Sequence, residues 1–498
     1  MLNPPFILSV VPFAVFLLLL LWRKMPLIKV SFITLVVVIG LVFFYWKIFP
    51  ALLLASSLKG LLVALDILII IFGAIFFLEI MKKIKAIDSI SYYLESFSKD
   101  YRVQVIILAW FFENFIEGTA GFGTPAAIVA PLLIALGLPP LRAVIVGLLG
   151  NSTSVVFGAA GTPIKIGFEG LNVSGVAETA VLINLLGFIV PVFMLWVITA
   201  DKTDRKQQFM EALPFAVWSG IAFSVASIPF VFLGQEFPSI LGSVVGLILV
   251  LITLRLNILA PKNIRTETRV IRPVEPLPLS KAILPYALMI IFLIAGKFLL
   301  SGISGFIQFR GLGHSFNLFN PGLAFIVSGL ITALIWKDKI ASATENIFTA
   351  FKRAVEPFIV ITFMSAIVQL MINAGQNLTG LSSPIVLIAQ AFETPFLAFW
   401  SPFIGAFGAF ITGSATISNI MFGSFLNTAA VIMNLAAGKI LALALVGASA
   451  GNMIALADIL SAEAVVGLRN QERRVLKGVI VPCLICLLIA GLIGILIT

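Results

Sequence analysis

The stretch FIEGTAGFGTP, residues 115–125, places the carboxylate of Glu117 and three glycines inside an apolar segment. Hydrophobic residues make up 60% of the 498 residues and charged residues only 11%, less than half of the roughly 25% found in soluble domains. Apolar runs of about 17 residues or more recur along the chain, and each is long enough to cross a bilayer. The sequence therefore predicts an all-α polytopic membrane protein embedded in the lipid bilayer.

The apolar runs predict about twelve transmembrane helices. They lie near residues 5–22, 28–46, 60–80, 141–161, 178–199, 213–233, 240–259, 282–300, 320–336, 355–374, 440–457 and 478–497. Two longer segments, 103–138 and 395–436, are interrupted by small and polar residues. We predict that each is a re-entrant hairpin of two half-helices, because polar backbone at membrane depth must be buried in protein or line a cavity.

Charge predicts the orientation of these spans. The net charge is +10, and lysine and arginine cluster between the apolar runs, as in membrane topology rather than nucleic-acid binding. With both hairpins returning to their own side, all the basic loops fall on one face, which the positive-inside rule makes cytoplasmic. We expect a multi-pass protein of the plasma membrane with both termini outside.

The longest polar stretch divides the chain into two halves. The proline-rich, basic segment 261–281 predicts a cytoplasmic linker between a first half, 1–260, and a second half, 282–498. Segments 83–99 and 340–353 mix charged and apolar residues, which is typical of helices lying on the membrane surface; short solvated connectors would have the same composition.

The halves contain matching interruptions. FIEGTAGFGT at 115–124 matches FITGSATISN at 410–419, and the later breaks at 150–163 and 451–458 both open with Gly-Asn. The repeat thus comprises hairpin 103–138 with broken helix 141–161, and hairpin 395–436 with broken helix 440–457. The first hairpin starts on the predicted cytoplasmic side and the second on the outer side. Inverted repeats with discontinuous helices are typical of secondary transporters.

The same segments resemble a known family. The resemblance to the L-lactate permease family covers nearly the whole chain and is carried, in order, by ENFIEGTAGFGTPAAI, GNSTSVVFGAAGTPI, FITGSATISNIMFG and GNMIALADILSAEAVVGL. It implies uptake of lactate, and often glycolate, together with protons. It also implies similarity to transporters with paired re-entrant hairpins and elevator-type motion. Composition and spacing alone indicate only a transporter.

Two positions depart from the family pattern that this resemblance implies. Many relatives carry an acidic residue where this chain has Ala415, and a lysine where it has Asn452. Both positions lie at polar breaks of the second half. In this chain, the function of that acidic residue is then either performed by Asp458 or Glu463, or absent.

The polar breaks supply the candidate substrate-binding residues. Arg142, Arg255 and Lys297 lie near helix ends, where extension to the membrane surface explains them, so helix N-termini, hydroxyls and amides remain to hold a carboxylate. An individual hydroxyl is equally able to bond its own helix, and the glycines can serve packing. The candidates are Gly118, Thr119, Gly121, Gly123, Thr124, Asn151, Ser152, Thr153, Thr412, Gly413, Ser414, Thr416, Ser418, Asn419 and Asn452.

Carboxylates at membrane depth are the candidates for proton coupling. Glu117 comes first, because an ionisable residue within the membrane is a functional candidate by default; a structural pair with Asn151 is its alternative. Glu113 lies one helical turn earlier, and Asp458 and Glu463 are counterparts in the second half. Asp66 is interpreted as a hydrogen-bonding residue of the scaffold.

The predicted function is proton symport of lactate or glycolate, with a sodium-coupled carrier of another small carboxylate as the alternative. An enzyme or a channel is a more distant alternative. GASAG at 447–451 lacks the strand that precedes a nucleophile elbow, and His314 is in an outer loop. We expect no cofactor and no metal, and we interpret Cys483 and Cys486 as small apolar residues. The sequence leaves homo-oligomerisation open.

Overall fold

The structure, a computed structural model, describes residues 4–23, 25–121, 124–171, 173–267, 275–336 and 343–498. The first part of the described chain is helical throughout. Its helices are α1 (Pro4–Leu17), α2 (Leu27–Gly40), α3 (Pro50–Lys83), α4 (Ala86–Ser96), α5 (Tyr101–Ile106), α6 (Glu113–Thr119), α7 (Thr124–Ala135), α8 (Pro140–Gly150), α9 (Gly158–Lys165), α10 (Val176–Ile183), α11 (Val190–Ile198), α12 (Arg205–Ser227) and α13 (Pro238–Arg255).

The second part also combines long and short helices. It contains α14 (Leu279–Leu300), α15 (Pro321–Ile335), α16 (Ala343–Asn373), α17 (Pro384–Ala391), α18 (Leu397–Thr412), α19 (Ala415–Ile432), α20 (Ala437–Asn452), α21 (Leu456–Val465) and α22 (Glu472–Ile497). Proline stands in the first turn of several of them, where its missing N–H costs no hydrogen bond. At α15, the Asn320 side chain also accepts from the Gly322 N–H and caps the helix.

Ten helical segments of the described chain are long and apolar enough to cross a membrane. The count rises to eleven if the segments Pro140–Gly150 and Ser154–Lys165, bent by 52° at their junction, form one broken span. The predicted spans at 5–22 and 320–336 coincide with shorter apolar helices, α1 and α15. The protein is therefore an all-helical, multi-pass membrane protein apart from one small hairpin.

Helices from the two halves pack reciprocally. The two longest, α3 and α16, lie against each other. Helix α2 packs on α16 as α15 packs on α3, and α1 packs on α17 as α14 packs on α4. Such exchanged pairs are expected when two similar units are related by a pseudo-two-fold axis.

Three local expectations need correction. Residues 343–353 do not form a separate surface helix, because they continue directly into α16; residues 337–342 lie outside the described chain. Helix α17 was not expected, since its eight residues are too short for a span. The loop between α14 and α15 contains strands β1 (Ser304–Phe309) and β2 (Leu312–Asn317). Their two-residue turn, Arg310–Gly311, has positive φ at both residues, as tight hairpins require.

The predicted loops gather at two opposite ends. At one end, buried Arg102 pairs with Asp100 at 2.7 Å and with Glu211 at 3.3 Å, and Arg265 of the linker pairs with Asp204 at 2.9 Å. The basic loops after α11 and α13 therefore meet at the start of α5. At the other end, the turn after α2 pairs with the turn after α16 through Ile48 and Asn377.

Candidate functional site

A small cavity lies where the two halves meet, and the centre of a water molecule can occupy about 30 Å³ of it. This is room for a water or two. Both halves line it. The first half contributes Glu117, Val155, Gly158, Ala159, Thr162 and Pro163, and the second half contributes Gly413, Ser414, Ala415, Thr416 and Asn452.

Glu117 brings a carboxyl group to the cavity from the last turn of α6. The residue is 4% exposed, and its Oε2 has no hydrogen-bond partner. Asn151, just beyond α8, lies within hydrogen-bonding reach of the carboxyl group. A Cβ at Gly158 would collide with Oε1, so glycine at 158 makes room for the carboxyl. Since burial of an unpaired anion is costly, this position favours a proton on Glu117.

The backbone beside Glu117 makes a left-handed turn. Ala159, Ala160 and Gly161 have φ values of 41°, 52° and 78°. Left-handed conformation costs about 1–2 kcal/mol for each non-glycine residue. Ala159 nevertheless lines the cavity, so surrounding packing holds a strained turn at the site, as is common at ligand-binding positions.

The second half presents a helix N-terminus to the same cavity. Gly413 turns the chain with φ of 69°, and the Ser414 hydroxyl caps α19 by accepting from the Ile417 N–H at 3.3 Å. Ala415 and Thr416, in the first turn of α19, line the cavity. First-turn N–H groups have no acceptor within their helix, and the helix dipole is positive there. This end of α19 is suited to an anion.

The two broken helices are tied together behind the cavity. The Ser449 hydroxyl of α20 donates to the carbonyl oxygen of Ser152. Asn452 ends α20 and lines the cavity, and its side chain is in hydrogen-bonding contact with Asp458 in the first turn of α21. An asparagine therefore accompanies a buried carboxyl group in each half.

The predicted substrate-binding residues divide into two groups. Gly413, Ser414, Thr416 and Asn452 line the cavity, and Asn151 lies beside it against Glu117. The others lie elsewhere, mostly bonded to nearby backbone. Five side chains donate to backbone carbonyl oxygens: Thr119 to Ile116, Ser152 to Leu149, Thr412 to Gly408, Ser418 to Gly405 and Asn419 to Pro163. The Thr153 carbonyl oxygen accepts from the Asn184 side chain. Gly118 packs against Ile240, and Gly121 packs against Ala159. Gly123 lies outside the described residues, as does the side chain of Thr124.

The candidate coupling carboxylates also separate. Glu113 is fully buried one turn before Glu117, and neither of its oxygens has a hydrogen-bond partner. Asp458 lies behind Asn452, whereas Glu463 lies at the far end of α21 beside Glu472. Within the described part of the chain, no lysine or arginine forms an ion pair with Glu113, Glu117 or Asp458.

Sequence reasoning missed the residues that follow Thr153. Gly158, Ala159, Thr162 and Pro163 line the cavity, as do Val155 and Ala415. The sequence feature that could have identified Gly158 to Pro163 is the run GAAGTP at the end of the 150–163 break, because glycine and other small residues permit tight turns. The apolar Val155 carried no chemical signal, and Ala415 was noted only as a departure from the family pattern.

The arrangement combines a helix N-terminus, hydroxyls, an amide and a buried carboxyl group around one small space. Such a set can bind a small carboxylate and a proton together. The described residues contain no group of three or more histidine, cysteine, aspartate or glutamate side chains able to hold a metal ion.

Comparisons with known proteins agree with this chemistry. The family model described as L-lactate permease matches residues 5–302 and 310–498. A Haemophilus influenzae relative is 28% identical over 85% of each chain. The L-lactate permease of Streptococcus iniae is 29% identical over 74% of this chain and 79% of its own. That of Escherichia coli K12 is 26% identical over 92% of this chain and 90% of its own.

Proposed function

This chain belongs to the L-lactate permease family, and on that premise we propose that it takes up L-lactate by proton symport across the plasma membrane. It is a multi-pass membrane permease rather than an enzyme. D-lactate and glycolate are further substrates in this proposal, because each is a small 2-hydroxy acid of the same charge. The alternative is a sodium-coupled carrier of another small carboxylate.

The observation that carries the proposal is the shared cavity. Its lining comes from residues far apart in sequence, with Glu117 at one wall and Ser414 to Thr416 at the other. The first turn of α19 offers N–H groups to the substrate carboxylate. The Ser414 and Thr416 hydroxyls and the Asn452 amide are donors for its oxygens.

Glu117 is the proton site in this mechanism. A proton on Glu117 removes a negative charge that would repel the incoming carboxylate, so proton and substrate bind cooperatively. The pair then crosses as a neutral unit. Glu113, one helical turn earlier, and Asp458 of the second half are the buried carboxyl groups that interact with Glu117 and to which the proton can pass.

Alternating access follows from the inverted repeat in this proposal. Reciprocal packing around α3 and α16 supports a scaffold, and the hairpins with α8–α9 and α20–α21 form the unit that moves past it.

Transport in proteoliposomes tests the proposal. An imposed proton gradient should drive accumulation of labelled L-lactate, and a sodium gradient at equal pH should not. Accumulation with sodium alone would favour the alternative, and absence of lactate uptake under both gradients would refute the proposal. Unlabelled glycolate and D-lactate should compete for uptake.

Thiol labelling tests the proposed orientation. In a background without Cys483 and Cys486, a cysteine at the exposed Gln308 of β1 should react with an impermeant reagent outside intact cells. One at exposed Lys262 of the linker should react only after permeabilisation. The reverse result would place the termini in the cytoplasm.

A further inference from the structure

His314 occupies an unusual position in the hairpin between α14 and α15. It is the only histidine of the chain. Every residue of β1 is exposed, whereas His314 in β2 is only 3% exposed. Its ring packs edge-on against Phe316, with centroids 4.5 Å apart. Burial of one ionisable ring in a largely exposed hairpin calls for a partner.

Two carboxylates face the two nitrogens of this ring. His314 Nδ1 is 3.4 Å from Glu169 Oε1, and Nε2 is 4.0 Å from Asp66 Oδ2. Neither nitrogen makes a hydrogen bond. A neutral imidazole donates from one nitrogen only, whereas an imidazolium donates from both. Acceptors on both sides therefore match the protonated ring.

Asp66 joins this hairpin to two helices. Its Oδ1 accepts from Asn320 Nδ2 at 2.9 Å, which holds it in place beside α15. Its Oδ2 also lies 3.6 Å from Lys165 Nζ, an ammonium without a hydrogen bond in the last turn of α9. Two residues earlier in α9, Pro163 lines the cavity. The contact thus connects α3, α9 and β2.

The groups in direct contact with the ring or with Asp66 carry more negative than positive charge when the ring is neutral. Asp66 and Glu169 are both acidic, and Lys165 supplies a single positive charge. Other charged groups nearby are Lys59 of α3, whose ammonium approaches the backbone at Gly170, and Arg310, exposed at the hairpin turn. A proton on His314 places two cations against two carboxylates inside the cluster.

We propose that His314, Asp66 and Glu169 form a second proton-binding site, separate from Glu117, that fastens the residues following α9 to α3. With the proton bound, the ring bridges Glu169 and Asp66 and holds the hairpin on both. Without it, this bridge is lost, so the hairpin and the residues after α9 loosen while Lys165 stays paired with Asp66. The role in transport rests on the proposed function: loosening of the residues that follow α9 would let the cavity open.

Hydrogen–deuterium exchange of the substrate-free protein tests the site without any transport assay. After correction for intrinsic exchange, amides of residues 166–171 should exchange about fivefold more slowly at about pH 5.5 than at about pH 8, a range that spans the ordinary pKa of histidine, and on the scale of one partly buried ion pair. His314→Gln should give fast exchange at both pH values. His314→Lys should give slow exchange at both.

Two further variants keep the test decisive. Ser315→Lys adds the same charge at the exposed neighbouring position and should retain the pH dependence. Glu169→Gln, at a partly exposed residue, removes one facing carboxylate and should reduce the difference in exchange between the two pH values. Equal protection at both pH values in the wild type, or an unchanged profile in His314→Gln, would overturn the site. Loss of lactate uptake with a retained profile would refute only the proposed function.

Discussion

The two tips that meet at the cavity are built differently. The first carries Glu117 in the last turn of α6, a carboxyl group with one unpartnered oxygen, next to a left-handed turn at Ala159–Gly161. The second has no charged residue, and Ser414 caps the start of α19. Matching sequence segments therefore occupy corresponding places but offer opposite electrostatics. We infer that one half is specialised for the proton and the other for the substrate carboxylate.

The largest effect, on uphill lactate uptake, is expected from replacing one buried carboxylic acid by its amide in each half. Glu117→Gln mimics the protonated form, so it should retain one-for-one lactate exchange yet abolish uphill uptake driven by a pH gradient. Asp458→Asn, the counterpart behind Asn452, should retain both activities. Both are measured in proteoliposomes, with Glu178→Gln on the exposed face of α10 as the control.

Two outcomes would change this division of roles. Uphill uptake retained in Glu117→Gln and lost in Asp458→Asn would transfer the proton to the second half. Loss of exchange as well in Glu117→Gln would make Glu117 a structural or substrate-binding residue.

A smaller effect should follow from adding a methyl group at the turn in each half. Gly161, Gly413 and Gly175 all have φ between 69° and 79°. An added Cβ would lie 2.6 Å from the Gln235 carbonyl oxygen at Gly161 and 2.7 Å from Ala457 Cβ at Gly413, but would meet nothing within 4 Å at Gly175. Gly175→Ala should thus cost only the left-handed strain, about 1–2 kcal/mol.

Unfolding in mixed detergent micelles measures this series. Gly161→Ala should be the most destabilising, by about 3 kcal/mol or more, because its backbone neighbour cannot rotate away. Gly413→Ala should lie between the other two. Equal losses at all three positions would mean that the turns relax, and that the first-half turn is not specially constrained.

The smallest effect concerns one hydroxyl in each half. Ser414→Ala should weaken lactate binding by about 1.5 kcal/mol, the lower end of the loss expected for a hydrogen bond to a charged group. Ser152→Ala should leave affinity unchanged, because the Ser152 hydroxyl bonds to the Leu149 carbonyl at 2.7 Å and does not line the cavity. Calorimetry of lactate binding measures both. Equal weakening of lactate binding in both variants would mean that the carboxylate site also includes Ser152 of the first half.

The membrane class and the positions of the breaks could be read from the sequence alone. Hydrophobicity over about 20 residues determines whether a segment crosses a bilayer, and glycine or proline interrupts a helix locally. Glu117, Ser414 and Asn452 were identified in this way, since polar residues within apolar segments are conspicuous. These features depend on residues close together in the chain.

The tertiary structure decided which polar residues share a cavity. Thr119, Ser152 and Thr412 are hydroxyl residues within apolar segments, as Ser414 is. Their hydroxyls, however, donate to backbone carbonyl oxygens three or four residues earlier in the chain. Ala159 and Ala415 reach the cavity without any polar group. The contacts of Asp66 with Lys165 and His314 join residues about 100 to 250 positions apart. Packing of distant helices creates such neighbours, and no local pattern in a single sequence encodes that packing.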